Sequence, residues 1–207
     1  MNNIRVNNRL ERTAEVTSSA PKADAKSSEE NIHDKGRKVV ARLKSELLDG
    51  PYRIEANING ATVRGADIEI RYLELDLQVD AEVKQGKTGT SQVRPYEYVP
   101  LVVWGKNTEK WYVFSPNAIT DKAEHLAGMH NPNPFINCNL GAPGSTPTKG
   151  DTQFWSNAEC RPEDLSKAIL DAYLEGEQHP EEEKKVKRYW KQAKLAADEN
   201  RQDYGKP

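Results

Sequence analysis

ADIEIRYLELDLQVDAEVK, residues 66–84, is the stretch on which the organisation of the chain turns. From Ile68 to Tyr72 the apolar side chains fall on even numbers (Ile68, Ile70, Tyr72), and from Leu73 to Val83 they fall on odd ones (Leu73, Leu75, Leu77, Val79, Ala81, Val83). Strand side chains alternate faces with a period of two, so this change of phase requires a turn or a bulge. Pairing residues whose numbers sum to 149 sets Ile68 opposite Ala81, Ile70 opposite Val79 and Tyr72 opposite Leu77. The same register sets Glu69 opposite Asp80, Arg71 opposite Gln78 and Asp67 opposite Glu82. Directly opposed residues share a face, so one antiparallel hairpin separates every apolar pair from every polar pair. Glu74-Leu75 carries no glycine or asparagine for a two-residue turn, which leaves a wider loop or a single bulged strand as alternatives.

On the polar face Asp67 and Glu82 come within cross-strand contact, and Lys84, two residues further along, points the same way. Two carboxylates this close repel unless a cation lies between them. A hard divalent ion takes one or two carboxylates together with water or phosphate oxygens. A neighbouring lysine orients an attacking water or offsets charge that builds up on a phosphate. The bland alternative is a strand face made polar for solubility, since six acids lie between residues 67 and 82 and some pairing among them arises by chance.

Gly65-Ala66-Asp67 at the start of one strand, followed by Glu82-Val83-Lys84 on the next, resembles the core motif of the PD-(D/E)xK nuclease superfamily, which includes restriction endonucleases and Holliday-junction resolvases. The resemblance covers residues 35–115, about half the chain. It implies an α/β fold with an αβββαβ restriction-endonuclease-like core, a central mixed sheet flanked by helices. It also implies Mg²⁺, with Mn²⁺ as a substitute, and hydrolysis of DNA phosphodiester bonds. Asp67 and Glu82 would be the metal ligands and Lys84 would assist the hydrolytic water. Val40 stands where resolvase-like members carry an acid one turn after a first-helix glycine, here Gly36, so Glu46 is the substitute as auxiliary ligand; Gln85 is a further neighbour of the expected site.

Composition sets outer limits. A chain of 207 residues holds one domain with a core of its own, and a hydrophobic content of 36% against 30% charged implies polar tails around it. No apolar run is long enough for a membrane span or a signal-peptide core, so the expectation is a soluble, cytoplasmic protein. Cys138 and Cys160 lack the spacing of a zinc site and are expected as free thiols. A net charge of −2 is not that of a protein basic all over, so any DNA contact must be confined to one cleft.

Residues 1–30 have almost no large apolar side chains and read as a disordered arm, whose Arg5, Arg9 and Arg12 are candidates for phosphate contact. Residues 31–178 form the expected catalytic domain, and residues 179–207 a C-terminal helix and tail. Val39, Val40, Leu43, Leu47 and Leu48 predict an amphipathic helix over 31–48. Tyr52–Ile58 predicts a strand, with Asn59-Gly60 turning toward a short strand at Ala61–Val63. Helix and strands thus arrive in the order the nuclease core requires. The segment after Lys84 is rich in Gly, Ser and Thr, contains Lys87 and Arg94 and no acid, and suits a phosphate-holding loop.

YVPLVVW at 98–104 and KWYVF at 110–114 predict a buried hairpin with Trp104, Trp111 and Tyr112 in the core. Thr120 is the expected N-cap of a short helix ending at Ala127. Residues 128–160, with five Asn and four Pro, read as a long loop, in which Asn131, Asn133, Asn137 and Asn139 could read adenine edges or simply make turns. His125 and His130 are expected to be structural or solvated. Helices follow from Arg161 and from Glu181, the second carrying the basic run Lys184–Arg188. The leading expectation is a metal-dependent, sequence-specific endodeoxyribonuclease acting as a homodimer. The alternatives are a non-catalytic α/β module that binds nucleic acid or protein, as a phage or mobile-element accessory protein would, and a junction-resolving nuclease.

Overall fold

The fold comes from a computed structural model, which describes residues 24–59, 66–87, 89–128, 134–142 and 149–204. It is an α/β arrangement around one six-stranded mixed sheet: β1 (Ile54–Ile58), β2 (Ile68–Tyr72), β3 (Leu77–Gly86), β4 (Leu101–Gly105), β5 (Lys110–Phe114) and β6 (Glu159–Cys160). The strands lie side by side in chain order. Every neighbouring pair is antiparallel except β3 and β4, which run parallel.

β2 and β3 pair in the register that alternation predicts, from Ile68 opposite Ala81 to Tyr72 opposite Leu77. The turn between them is four residues, 73–76, and Asp76 supplies its left-handed position at φ 45°. Aspartate tolerates that conformation because its short side chain bonds locally, here to the Arg71 guanidinium at 3.1 Å. The wider loop is therefore the form the hairpin takes.

Alternation divides the core in two. On one face Ile68, Ile70, Tyr72, Val79, Ala81, Val102 and Trp111 pack against Val39, Val40, Leu43 and Leu47 of α1 (Asp24–Leu47) and Leu165, Ile169 and Leu170 of α4 (Leu165–Glu177). On the other, Leu101, Val103, Tyr112 and Phe114 are covered by Val93, Cys138, Leu140, Ile119 of α2 (Pro116–Gly128) and Trp155 of α3 (Lys149–Asn157). That second cover stops at β3. Glu55, Arg71, Gln78 and Asp80 on the β1–β3 half are exposed.

Several boundaries differ from expectation. α1 begins at Asp24, inside the segment expected as a disordered arm; its first seven residues, DAKSSEE, contain no Gly or Pro to interrupt a helix that the apolar stripe further along sustains. α2 begins at Pro116, with the Ser115 hydroxyl accepting the Ala118 N–H at 3.2 Å. Thr120 is therefore not the cap, and its hydroxyl instead donates to the Pro116 carbonyl at 3.0 Å. The stretch expected as one loop from 128 to 160 contains α3 and β6. The last helix, α5, runs from Pro180 to Tyr204. Arg5, Arg9, Arg12, Ala61–Val63, Gly65 and His130 lie outside the described residues. No helix among the described residues is long and apolar enough to cross a membrane, and Cys138 and Cys160 are free thiols.

Candidate active site

The candidate site lies where the covered half of the sheet meets the open half. β3 brings Glu82 and Lys84 to the face it shares with Leu101 and Val103, their partners on β4. Asp67 stands one residue beyond the last β2–β3 pair, and its position is fixed by the backbone. Its N–H donates to the Ala81 carbonyl at 3.0 Å, and its Oδ2 accepts the Val83 N–H at 2.8 Å. Val83 would otherwise have an unpaired ladder donor where β2 ends, so one oxygen of Asp67 completes the sheet.

Among the described residues Glu82 is the most deeply buried charged group, 2% exposed. Its Oε1 lies 3.0 Å from the Lys84 ammonium and 3.6 Å from Arg94 Nε, and its Oε2 accepts the Arg94 backbone N–H at 3.4 Å. Neither cation meets Oε1 with hydrogen-bond geometry, so that oxygen is ion-paired but carries no hydrogen bond. Such an atom is costly to bury and is satisfied by closer approach of a cation.

Sequence reasoning did not single out Glu97. It sits in a short 3₁₀ turn, Pro95–Glu97, which occupies the connection from β3 to β4 where the expected nuclease core would have a helix. Its Oε1 accepts the Arg94 guanidinium at 2.7 Å, and its Oε2 is buried without a hydrogen bond. Burial pushes the Glu97 carboxyl above the usual range; Arg94 works against this, and the Glu82 and Asp67 carboxylates add to it. Burial disfavours the charged Arg94 guanidinium, but Glu97 and Glu82 more than offset that and hold its pKa up. Asp67, Glu82 and Glu97 therefore share one neighbourhood with Lys84 and Arg94. The only signal in sequence was the spacing of Arg94 and Glu97, three residues apart in PYEYVP and its approach.

The loop that carries Arg94 is pinned over the sheet. Val93 and Cys138 bridge, Thr90 N–H donates to the Gly141 carbonyl at 2.7 Å, and Leu140 N–H returns to Thr90 at 2.9 Å. Arg94, expected as a DNA contact, is thus an ion-pair partner of the buried carboxylates, with its side chain 30% exposed.

Other expected members lie elsewhere. Glu46 is on α1, where it accepts the Trp111 indole N–H and pairs with Arg42 at 2.6 Å, so it belongs to the opposite face of the sheet and cannot be an auxiliary ligand. The Arg42 guanidinium, in turn, lies 3.5 Å above the Trp104 ring. Gln85 alternates away from Glu82 and Lys84 along β3 and faces the same side as Glu46. Lys87 is exposed, and its carbonyl accepts the Asn107 amide at 2.8 Å. Asn137 and Asn139 are exposed, and Asn139 Oδ1 accepts the Gly141 N–H, a local turn contact. Asn131 and Asn133 lie outside the described residues.

Among the described residues, no group of three or more His, Cys, Asp or Glu side chains is placed to hold a metal ion. Asp67 and Glu82 supply only hard oxygen donors, and the unbonded Glu82 Oε1 is the kind of atom a divalent ion satisfies. Comparison with family models, curated proteins and solved structures gives no match to this chain.

Proposed function

We propose that this protein is a Mg²⁺-dependent nuclease that hydrolyses DNA phosphodiester bonds at the Asp67–Glu82–Lys84 end of β2 and β3. The observation that carries this reading is the placement of two acidic groups and a lysine on one face of the sheet, where β2 ends beside β3, around a buried carboxylate oxygen with no hydrogen bond. The strand arrangement supports it as well: a leading helix, three antiparallel strands in sequence, and a fourth parallel to the third, as the αβββαβ core of PD-(D/E)xK nucleases requires. The short 3₁₀ turn in place of the second core helix is a departure from that pattern.

In this reading Asp67, whose Oδ2 accepts the Val83 N–H, and Glu82 would be the two carboxylates that hold the ion. Mg²⁺ bound there would polarise the scissile phosphate and lower the pKa of a bound water. Lys84 releases Glu82, then holds the attacking water or the charge growing on the phosphate oxygens. Arg94 keeps Glu82 and Glu97 from repelling one another and offers its exposed edge to a neighbouring phosphate. Cutting both strands of a duplex needs two such sites, hence two copies of the chain. Sequence-specific cleavage of the restriction type and junction resolution are both within this chemistry.

A second reading has an observation of its own. Lys84 and Arg94 both close on Glu82, which is how a purely structural ion cluster would look in a non-catalytic binding module. Incubating the protein with supercoiled plasmid, linear duplex and four-way-junction DNA, each with Mg²⁺ and with EDTA, separates the two. The nuclease reading expects Mg²⁺-dependent strand scission of at least one substrate. Intact DNA throughout, with Mn²⁺ as well as Mg²⁺, leaves the binding module.

A further inference from the structure

Tyr96 links the candidate site to a surface outside the sheet. It lies between Arg94 and Glu97 in the chain, and its ring stacks on Trp190 of α5 at 4.5 Å between centroids and 15° between planes. Along α5 this stack opens into a groove of about 560 Å³ lined by Tyr96, Lys187, Trp190, Lys191, Lys194 and Leu195. Residues 187, 190, 191, 194 and 195 fall at helical spacing on one face. Leu195 is 55% exposed there. Residues 184–194 carry six basic side chains and no acidic one, in a chain whose net charge is −2. Asp198 marks the far end of the groove.

We infer that this groove is a track for single-stranded nucleic acid, leading a strand along α5 to the Glu82–Lys84 site; the inference rests on the nuclease reading above. An apolar, aromatic floor with a lysine rim matches a strand whose bases lie against ring and aliphatic surface while its phosphates meet the ammonium groups. A paired duplex presents phosphates and sugar outward and leaves that floor unmatched. The stripe from Lys187 to Asp198 covers eleven helical steps, about 16 Å at 1.5 Å per residue, or about five nucleotides at 3.4 Å each along a strand. Lys187 pairs with Glu183, and Lys194 lies 5.4 Å over the Trp190 ring. Both contacts are at the surface, where phosphate displaces them readily.

The test is fluorescence anisotropy of a labelled 12-nucleotide oligothymidine in EDTA, where no metal-dependent cleavage occurs. Wild type is expected to bind the single strand more tightly than a duplex of equal length. K187A/K191A/K194A should bind at least tenfold more weakly, and the slope of log K against log salt should fall by about 2, at about 0.7 per lost phosphate contact on a single strand. Trp190→Ala should weaken binding and Trp190→Phe should largely restore it. Binding by the triple variant within twofold of wild type overturns the inference, as does equal affinity for duplex. Displacement by poly-glutamate as effective as by oligothymidine assigns the groove to acidic peptide instead. Cleavage by wild type with unimpaired binding by the triple variant sinks the track alone. Loss of binding in the triple variant, with no cleavage by either protein, sinks the nuclease and leaves the track.

Discussion

Replacing Lys84 by methionine removes the ammonium 3.0 Å from a carboxylate oxygen that has no hydrogen bond, while keeping most of the aliphatic stem. At 3.0 Å and an effective dielectric of about 20, the Coulomb attraction is roughly 5–6 kcal/mol before desolvation. The Glu82 side chain is 3% exposed and that of Lys84 20%, so little screening reduces it. Stranding one partner of a buried pair costs about 3–5 kcal/mol, but Arg94 remains 3.6 Å from the same oxygen and its N–H still reaches Oε2. The expected loss for Lys84→Met is therefore about 2–3 kcal/mol, or about 4–12 °C in Tm for a chain of this size. Removing the charge on both sides, in Lys84→Met/Glu82→Gln, should recover about 1–2 kcal/mol of that loss as a coupling energy in a double-mutant cycle. Urea unfolding followed by far-UV circular dichroism measures all four proteins. A Lys84→Met variant within about 0.5 kcal/mol of wild type, or strictly additive effects, would falsify the picture of Glu82 as a buried charge that Lys84 neutralises.

Other consequences are independent of the site's chemistry or bear on it at one remove. Tyr72→Phe deletes a buried 2.6 Å bond to the Ser166 carbonyl that ties β2 to α4, and should cost about 1–2 kcal/mol in urea unfolding; an unchanged midpoint would contradict the bond. Glu97 has its folded pKa raised above the unfolded value, so its ionisation opposes folding: the penalty is absent below the ordinary carboxyl range and grows as pH rises through and above it. Glu97→Gln should therefore melt higher than wild type at pH 7, the gap closing near pH 4, and a gap that widens on acidification reverses the sign. Burial pushes the Cys138 thiol up to about 12 and the Cys160 thiol up to about 11. At pH 8 their thiolate fractions are about a hundredfold or more below that of a free thiol, so native protein should resist iodoacetamide and denatured protein should take up two equivalents. Rapid alkylation of either cysteine in the native state counts against its burial.

The parts of the fold legible in sequence are those where one face of an element is buried. The β2–β3 register could be read because a slip of one residue would have exposed Ile68, Ile70 and Val79 together. Trp104 and Trp111 could be placed in the core because they lie in the near-continuous apolar runs Leu101–Trp104 and Trp111–Phe114. The turn was harder, since Asp76 in a left-handed conformation leaves no mark as strong as Asn-Gly. The first residues of α1 carry no apolar period, so propensity alone had to announce them. α3 is short and flanked by Gly and Pro, which hid Phe154 and Trp155 as core residues stacked near Phe114.

Within the candidate site, Asp67, Glu82 and Lys84 were legible because a local register places them. Glu97 and the partners of Arg94 depend on how residues 87–100 fold back over the sheet, a tertiary fact with no period in sequence. Glu46 was misplaced for the converse reason. Its helix packs against the sheet as expected, but on the face that Trp111 shares, opposite Glu82.

The most direct measurement is the single-turnover rate of strand scission by Lys84→Ala beside wild type, under saturating Mg²⁺ and on whichever DNA substrate wild type cuts. Fold is checked by circular dichroism and DNA affinity in EDTA. A water-positioning or charge-offsetting lysine contributes about 10²–10³ in rate, so the variant should slow by at least a hundredfold while its spectrum and DNA affinity stay near wild type. A rate within threefold of wild type, in a folded variant that binds DNA normally, contradicts the assignment of Lys84 and with it the proposed site.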